Sequence, residues 1–196
     1  MAAPLSPAAT AGRILDVAER LVQTRGFNGF SYADISAELR IRNASVHYHF
    51  RSKSDLGKRL VARYRENFMA ALSALEAKAP DARARLRTYA GMWSQVLRDR
   101  DRMCLCGMMA ADIATLPKAV RSEIRRFFEE NEAWLVRVLT AGRKARTLKL
   151  AGSAEIEARL LTMGLEGAML VARSYGEPRR FDEIANRLLE GLGIGT

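Results

Sequence analysis

From Thr10 onward, apolar residues recur at helical rather than strand spacing. Ile14, Val17, Ala18, Leu21 and Val22 follow i, i+3, i+4, i+7, i+8, which predicts one amphipathic helix. Gly26 is suited to end it, because glycine tolerates the backbone that a helix C-terminus often needs. Ser31-Tyr32-Ala33-Asp34 then sets a hydroxyl three residues ahead of an acid, a capping-box spacing. It predicts a short helix over about 32–39 with Ile35 and Leu39 inward. Arg40-Ile41-Arg42 reads as a turn, and Asn43 as the cap of a second short helix, about 43–50, that buries Val46 and Phe50. Ser52 to Asp55 repeats the capping spacing and opens a long helix to about residue 78. Its inward stripe includes Leu56, Leu60, Val61, Tyr64, Phe68, Leu72 and Leu75.

After Pro80 the same period returns over about 81–100, through Leu86, Tyr89, Ala90, Trp93, Val96 and Leu97. An apolar, sulfur-rich segment, Met103–Thr115, precedes Pro117, which suits a helix start. The run 117–146 carries Val120, Ile124, Phe127, Asn131, Trp134, Leu135 and Val138 along one side. Leu148–Gly152 is a turn, Ser153 caps a helix over about 153–175, and Pro178 precedes a last one at about 179–192. No stretch alternates convincingly as a strand does. The expected fold is all-α with about nine helices. The expected division sets an N-terminal tail and a three-helix domain at residues 1–55 against a larger helical domain at 56–196.

Charge narrows the partner. Of 196 residues, 32 are Lys or Arg and 22 Asp or Glu, a net charge of +10, which favours a polyanion. Residues 40–65 concentrate it, with Arg40, Arg42, Arg51, Lys53, Lys58, Arg59, Arg63 and Arg65 against the single acid Asp55. Cys104 and Cys106, the only cysteines, are two residues apart and do not form a secreted disulfide framework. The start MAAPLSPAATAGR has no signal-peptide pattern, and no apolar run approaches membrane-spanning length. The expectation is a cytoplasmic protein with no membrane partner and no cofactor.

The stretch NASVHYHF, residues 43–50, brings both histidines of the chain beside Tyr48. A metal site needs further ligands, and no other histidine exists. General-base chemistry needs a nucleophile or a paired carboxylate, and neither accompanies the cluster in sequence. Neither metal binding nor an enzymatic function is therefore expected. Two short helices joined by a tight turn are marginal alone but make sense as a helix-turn-helix, whose second helix enters the major groove of DNA. With Val46 and Phe50 inward, Ser45, His47, Tyr48 and His49 spread over the outer and flanking faces. Asn43 and Ser45 sit at the helix N-terminus, where phosphates or base edges are met. His47 and Tyr48 supply flat groups for bases, and Lys53 suits a neighbouring phosphate.

The stretch ISAELRIRNASVHYHFRSKSDL, residues 35–56, resembles the DNA-binding domain of the TetR family of bacterial transcriptional regulators. Ile35, Ile41, Val46, His49, Phe50, Lys53 and Leu56 fall in register with that family's pattern. The resemblance covers about residues 10–60 and implies DNA contacts from Ser31, Tyr32, Asn43, Ala44, Ser45, His47, His49 and Lys53. Three positions depart from the pattern: Arg40 stands at the usual turn glycine, His47 at the usual tyrosine, and Ala44 at a usual glycine or proline.

The remaining chain resembles the family in length and helical layout, which implies a variable effector-binding half. Tyr89, Trp93, Cys104, Met108, Phe127 and Trp134 are the candidate lining residues; methionines suit adaptable pocket walls. A subset of the family has a Cys-Leu start similar to Cys104-Leu105. The small residues Gly164, Gly167, Ala168, Ala172 and Ala185 permit close helix approach, and the resemblance implies a homodimer through the last two helices. The expected function is a repressor released from a palindromic operator by a small molecule. Two alternatives stand beside it: a thiol sensor acting through Cys104, with Arg100 and Arg102 as activating cations, and a basic protein that binds DNA without sequence preference.

Overall fold

The computed structural model describes residues 6–99 and 102–195, and among them every regular element is helical. In chain order these are α1 (Pro7–Arg25), α2 (Tyr32–Leu39), α3 (Asn43–His49), α4 (Lys53–Lys78), α5 (Ala82–Arg98), α6 (Leu105–Ala111), a 3₁₀ turn (Ile113–Thr115), α7 (Lys118–Lys144), α8 (Ala154–Tyr175) and α9 (Pro178–Gly191). The all-α expectation stands. Helix α1 starts three residues before Thr10, because the Ser6 hydroxyl accepts from the Ala9 backbone N–H at 3.2 Å and Pro7 needs no N–H partner. Asn43 is not a cap. Arg42 occupies the N-cap position, with its carbonyl accepting from Ser45 N–H at 2.8 Å, so Asn43 is the first helical residue.

The chain forms two compact units. One joins the residues up to Arg65 with Leu105–Arg125; the other joins Glu66–Cys104 with the residues from Arg126 onward. Helix α6 and the start of α7 belong to the same unit as the N-terminal helices. Helices α4 and α7 each contribute to both units.

The core of the first unit is Ile14, Ala18 and Val22 of α1, Ile35 of α2, Val46 of α3, Phe50, and Leu56 and Leu60 of α4, all fully buried. Removing such side chains from water contributes on the order of 1.5–3 kcal/mol each, which is what holds α2 and α3 helical despite their length. Gly57 lets α4 approach the α1–α2 link: a Cβ there would come within 2.8 Å of the Phe27 ring and 3.3 Å of Val120. The core of the second unit is built from Leu72, Leu86, Tyr89, Trp93, Leu97, Phe127, Trp134, Leu135 and Met169, closed by Phe181 of α9.

Candidate DNA-reading face and effector core

Helix α3 is divided as its spacing predicts. Val46 and the following Phe50 are fully buried, while Asn43, Ala44, His47 and Tyr48 are exposed and Ser45 and His49 partly so. Tyr48 is 78% exposed, a large fraction for an aromatic residue. His49 packs edge-on against its ring at 5.1 Å. Phe50 takes an extended backbone, and Ser52 then opens α4 by accepting from Asp55 N–H at 3.1 Å.

Two of the expected contact residues have other partners. The Tyr32 ring is buried, packs on His47 at 4.7 Å, and donates its hydroxyl to the Phe50 carbonyl at 3.0 Å. Burial, with Asp55 adding to it, pushes its phenol up to about 12. Lys53 is half-buried; its ammonium donates to the Phe30 carbonyl and lies 4.3 Å from the Phe30 ring centre and 5.0 Å from that of Phe27. Burial holds its pKa below the usual lysine value, against the pull of Asp34 and Asp112. Ser31 is exposed, and its backbone N–H and hydroxyl both donate to the Asp34 carboxylate at 2.7 Å. Those bonds hold Asp34 below the usual carboxylate range.

The basic run divides too. Arg63 pairs with Asp16 at 2.7 Å and Glu19 at 3.0 Å, Arg65 lies 3.8 Å from Glu123, and Arg59 stacks over Phe50 at 5.0 Å. Arg40, Arg42, Arg51 and Lys58 have no acidic partner among the described residues, so the uncompensated charge gathers around α3. Arg40 adopts φ 53° and ψ 44°, the left-handed conformation a glycine would take there without strain.

In the second unit, the aromatic residues expected to line a pocket come together. Phe68 meets Tyr89, Trp93 and Phe127 with ring centres 5.3–6.4 Å apart, and Trp134 stacks on Tyr89 at 5.4 Å. The Tyr89 hydroxyl lies 3.0–3.1 Å from the Asn131 amide, which in turn donates to Thr162 at 3.4 Å. Burial raises the Tyr89 phenol far above its usual value. Met108 belongs to the first unit, near Gly26. A separate open groove of about 440 Å³ lies between α5 and α9, floored by Ala90, Gly91 and Ala185, and none of the aromatic cluster lines it.

Cys104 is 2% exposed and precedes α6, whereas Cys106 lies within it. The Cys104 N–H meets the Met169 sulfur at 3.4 Å, and its thiol is hydrogen-bonded to Glu166. Arg102 pairs with Asp99 at 2.9 Å, and Arg100 lies outside the described residues.

Two family models match the chain: residues 14–60 match bacterial regulatory proteins of the tetR family, and residues 82–188 the tetracyclin repressor-like C-terminal domain. The chain belongs to the TetR family. Its structure superposes on a TetR-family regulator from Agrobacterium tumefaciens with a TM-score of 0.92, at 39% identity over 95% of this chain and 99% of that one. A TetR regulator from Legionella pneumophila gives 0.86 at 29% identity, covering 98% and 100%. The HTH-type transcriptional repressor DhaR of Mycobacterium sp. (strain GP1) is 23% identical over 170 residues, 86% of this chain and 84% of that protein. The chain is thus a TetR-family transcriptional regulator, and ligand-responsive repression fits that family. No helix among the described residues is long and apolar enough to cross a membrane.

Two features of this TetR chain escaped the sequence. Glu166 reads there as one more charge on α8, yet its Oε1 is sealed from solvent. Helix α8 also exposes Ile156, Leu160, Met163, Leu170 and Val171, each more than half exposed, on the side opposite its buried Leu161, Leu165 and Met169. The signal was present: α8 is apolar nearly all round, which a helix with one wet face is not. Of the small residues expected at an interface, Gly164 instead seats Leu188 of α9, where a Cβ would come within 2.8 Å, and Ala172 is buried within the chain.

Proposed function

We propose that this regulator is a dimeric repressor whose two α3 helices read an inverted-repeat operator and whose second unit binds the effector that releases it. Asn43, Ala44, Ser45, His47, Tyr48 and His49 make the DNA contacts, with Ser31 meeting phosphate beside them. Tyr32 and Lys53 act as positioning residues that fix the ends of α2, α3 and α4. The observation that carries the reading is the exposed Tyr48 and His47 over a fully buried Val46, in a stretch whose Arg40, Arg42, Arg51 and Lys58 pair with no acid among the described residues. Unpaired cations supply salt-sensitive attraction to any duplex, and the flat exposed groups supply discrimination among sequences.

The dimer forms through the apolar face of α8, joined by Ile184 of α9. Such a face is costly to leave in water and suits a four-helix interface across a two-fold axis. The effector binds among the aromatic residues of the second unit. Because α4 belongs to both units, a change at its Phe68 end alters the setting of its Lys53 end and so the separation of the two reading helices. Binding assays with operator and random duplexes at moderate salt test the DNA half: a ratio of about 10³ or more supports it, and equal binding refutes it. Structures with and without effector that share one α3 separation would refute the mechanism of release.

A further inference from the structure

Among the described residues of the second unit, Glu166 is the acid with a solvent-sealed oxygen left unbonded. Glu166 Oε1 is shielded from solvent and has no hydrogen-bond partner. Its carboxylate is engaged through the Cys104 thiol, and no Lys, Arg or His lies within ion-pair distance of it among the described residues. A buried carboxylate in that position is costly as an anion and leaves an acceptor unsatisfied as an acid. Burial accordingly lifts it to about 7. The other titratable groups facing it, Cys104 and Tyr89, are acids themselves, and Glu166 is close enough to Tyr89 to raise that phenol further. Among the described residues, none pairs it with a positive charge.

Its surroundings are suited to one. Thr162 lies one helical turn before Glu166 on α8 and is bonded through Asn131 to Tyr89, which ties the acid's helix to the aromatic cluster. Phe68, Tyr89, Trp93, Phe127 and Trp134 cluster in the same unit, and aromatic rings attract a cation. We infer that Glu166 is the polar anchor of the effector site and that the effector is an organic ammonium with an aromatic or apolar body. This rests on the reading that the second unit binds the effector. An anionic effector is repelled by the carboxylate, and one without a donor leaves Oε1 unsatisfied. A metal ion is not the counterpart, since no group of three potential ligands lies together among the described residues.

The test uses the full-length protein and three probes of similar size: 2-phenylethylammonium, 2-phenylethanol and 3-phenylpropionate. Binding is followed through the fluorescence of Trp93 and Trp134, the only tryptophans. The ammonium binds at least about tenfold more tightly than the alcohol, and the propionate most weakly. Glu166→Gln erases that preference by weakening the ammonium alone, while Glu166→Asp, which keeps the charge, retains it. Should the glutamine variant not fold, the probe order in the unaltered protein and in the aspartate variant decides. If the alcohol or propionate binds as well as the ammonium, the effector site stands and the ammonium assignment falls. The assignment also falls if none of the probes binds at about 10 mM, or if Glu166→Gln leaves the preference intact. Failure of the unliganded protein to bind any DNA strikes the regulator reading instead.

Discussion

The Tyr32 hydroxyl donates to the Phe50 carbonyl across 3.0 Å, tying the first residue of α2 to the residue that ends α3. The bond is buried, so its loss leaves the carbonyl unsatisfied as well as the strut missing. Tyr32→Phe is expected to cost about 1–3 kcal/mol in chemical denaturation, with operator affinity falling through the same loosening. An affinity loss at unchanged stability would instead make Tyr32 a direct DNA contact.

Tyr48 bears no such structural duty. Tyr48→Ala should leave the melting temperature unchanged and reduce operator affinity by about 1–3 kcal/mol relative to random duplex. Equal losses on both DNAs would reassign the ring from base readout to backbone contact.

Arg40 carries strain at φ 53°. Arg40→Gly should stabilise the protein by about 1 kcal/mol, since glycine adopts that conformation without a Cβ clash. Because the same change removes an unpaired cation beside α3, the slope of log affinity against log salt should fall as well. A destabilised variant would show that the arginine side chain contributes more packing than its exposure suggests.

How far the sequence reached depends on the kind of signal. The starts of α2 and α4 were legible because capping residues and apolar spacing agree there, at Ser31–Asp34 and Ser52–Asp55; the start of α3 was not, since Arg42 and not Asn43 holds the cap position. The outer face of α3 followed once Val46 and Phe50 were set inward. The inward turn of Tyr32 and Lys53 was not legible, since both side chains are long enough to point either way. Their partners, the backbone carbonyls of Phe50 and Phe30, leave no trace in residue type. Glu166 stayed hidden for a similar reason: its bond to Cys104, sixty-two positions earlier, leaves no local pattern.

Glu166 also predicts a pH dependence. Its folded pKa of about 7 lies above the ordinary 4.5, so the folded state holds a proton that the unfolded state releases between those values. Its contribution is therefore favourable below about pH 4.5 and is lost as pH rises through about 7. Glu166→Gln removes the loss, and the variant should exceed the natural protein in stability at pH 8 by roughly 2–3 kcal/mol. The two should converge at pH 4.5 in denaturation experiments. An equal difference at both pH values would mean that the carboxyl does not titrate in this range.

The exposed face of α8 makes a further prediction about assembly. Leu160→Glu with Met163→Glu places charge in the middle of the apolar stripe and should yield a folded monomer in sedimentation equilibrium. The monomer should bind a full operator far more weakly, because the two half-sites are no longer engaged together. A variant that stays dimeric would place the interface elsewhere.

The central claim is that paired α3 helices read DNA in a two-fold arrangement, and selection of bound duplexes from a random-sequence pool tests it most directly. The account predicts enrichment of two inverted half-sites, their centres about one helical turn or a multiple of it apart. Recovery of a pool no different from the starting one, or of a single half-site without its inverted partner, would contradict it.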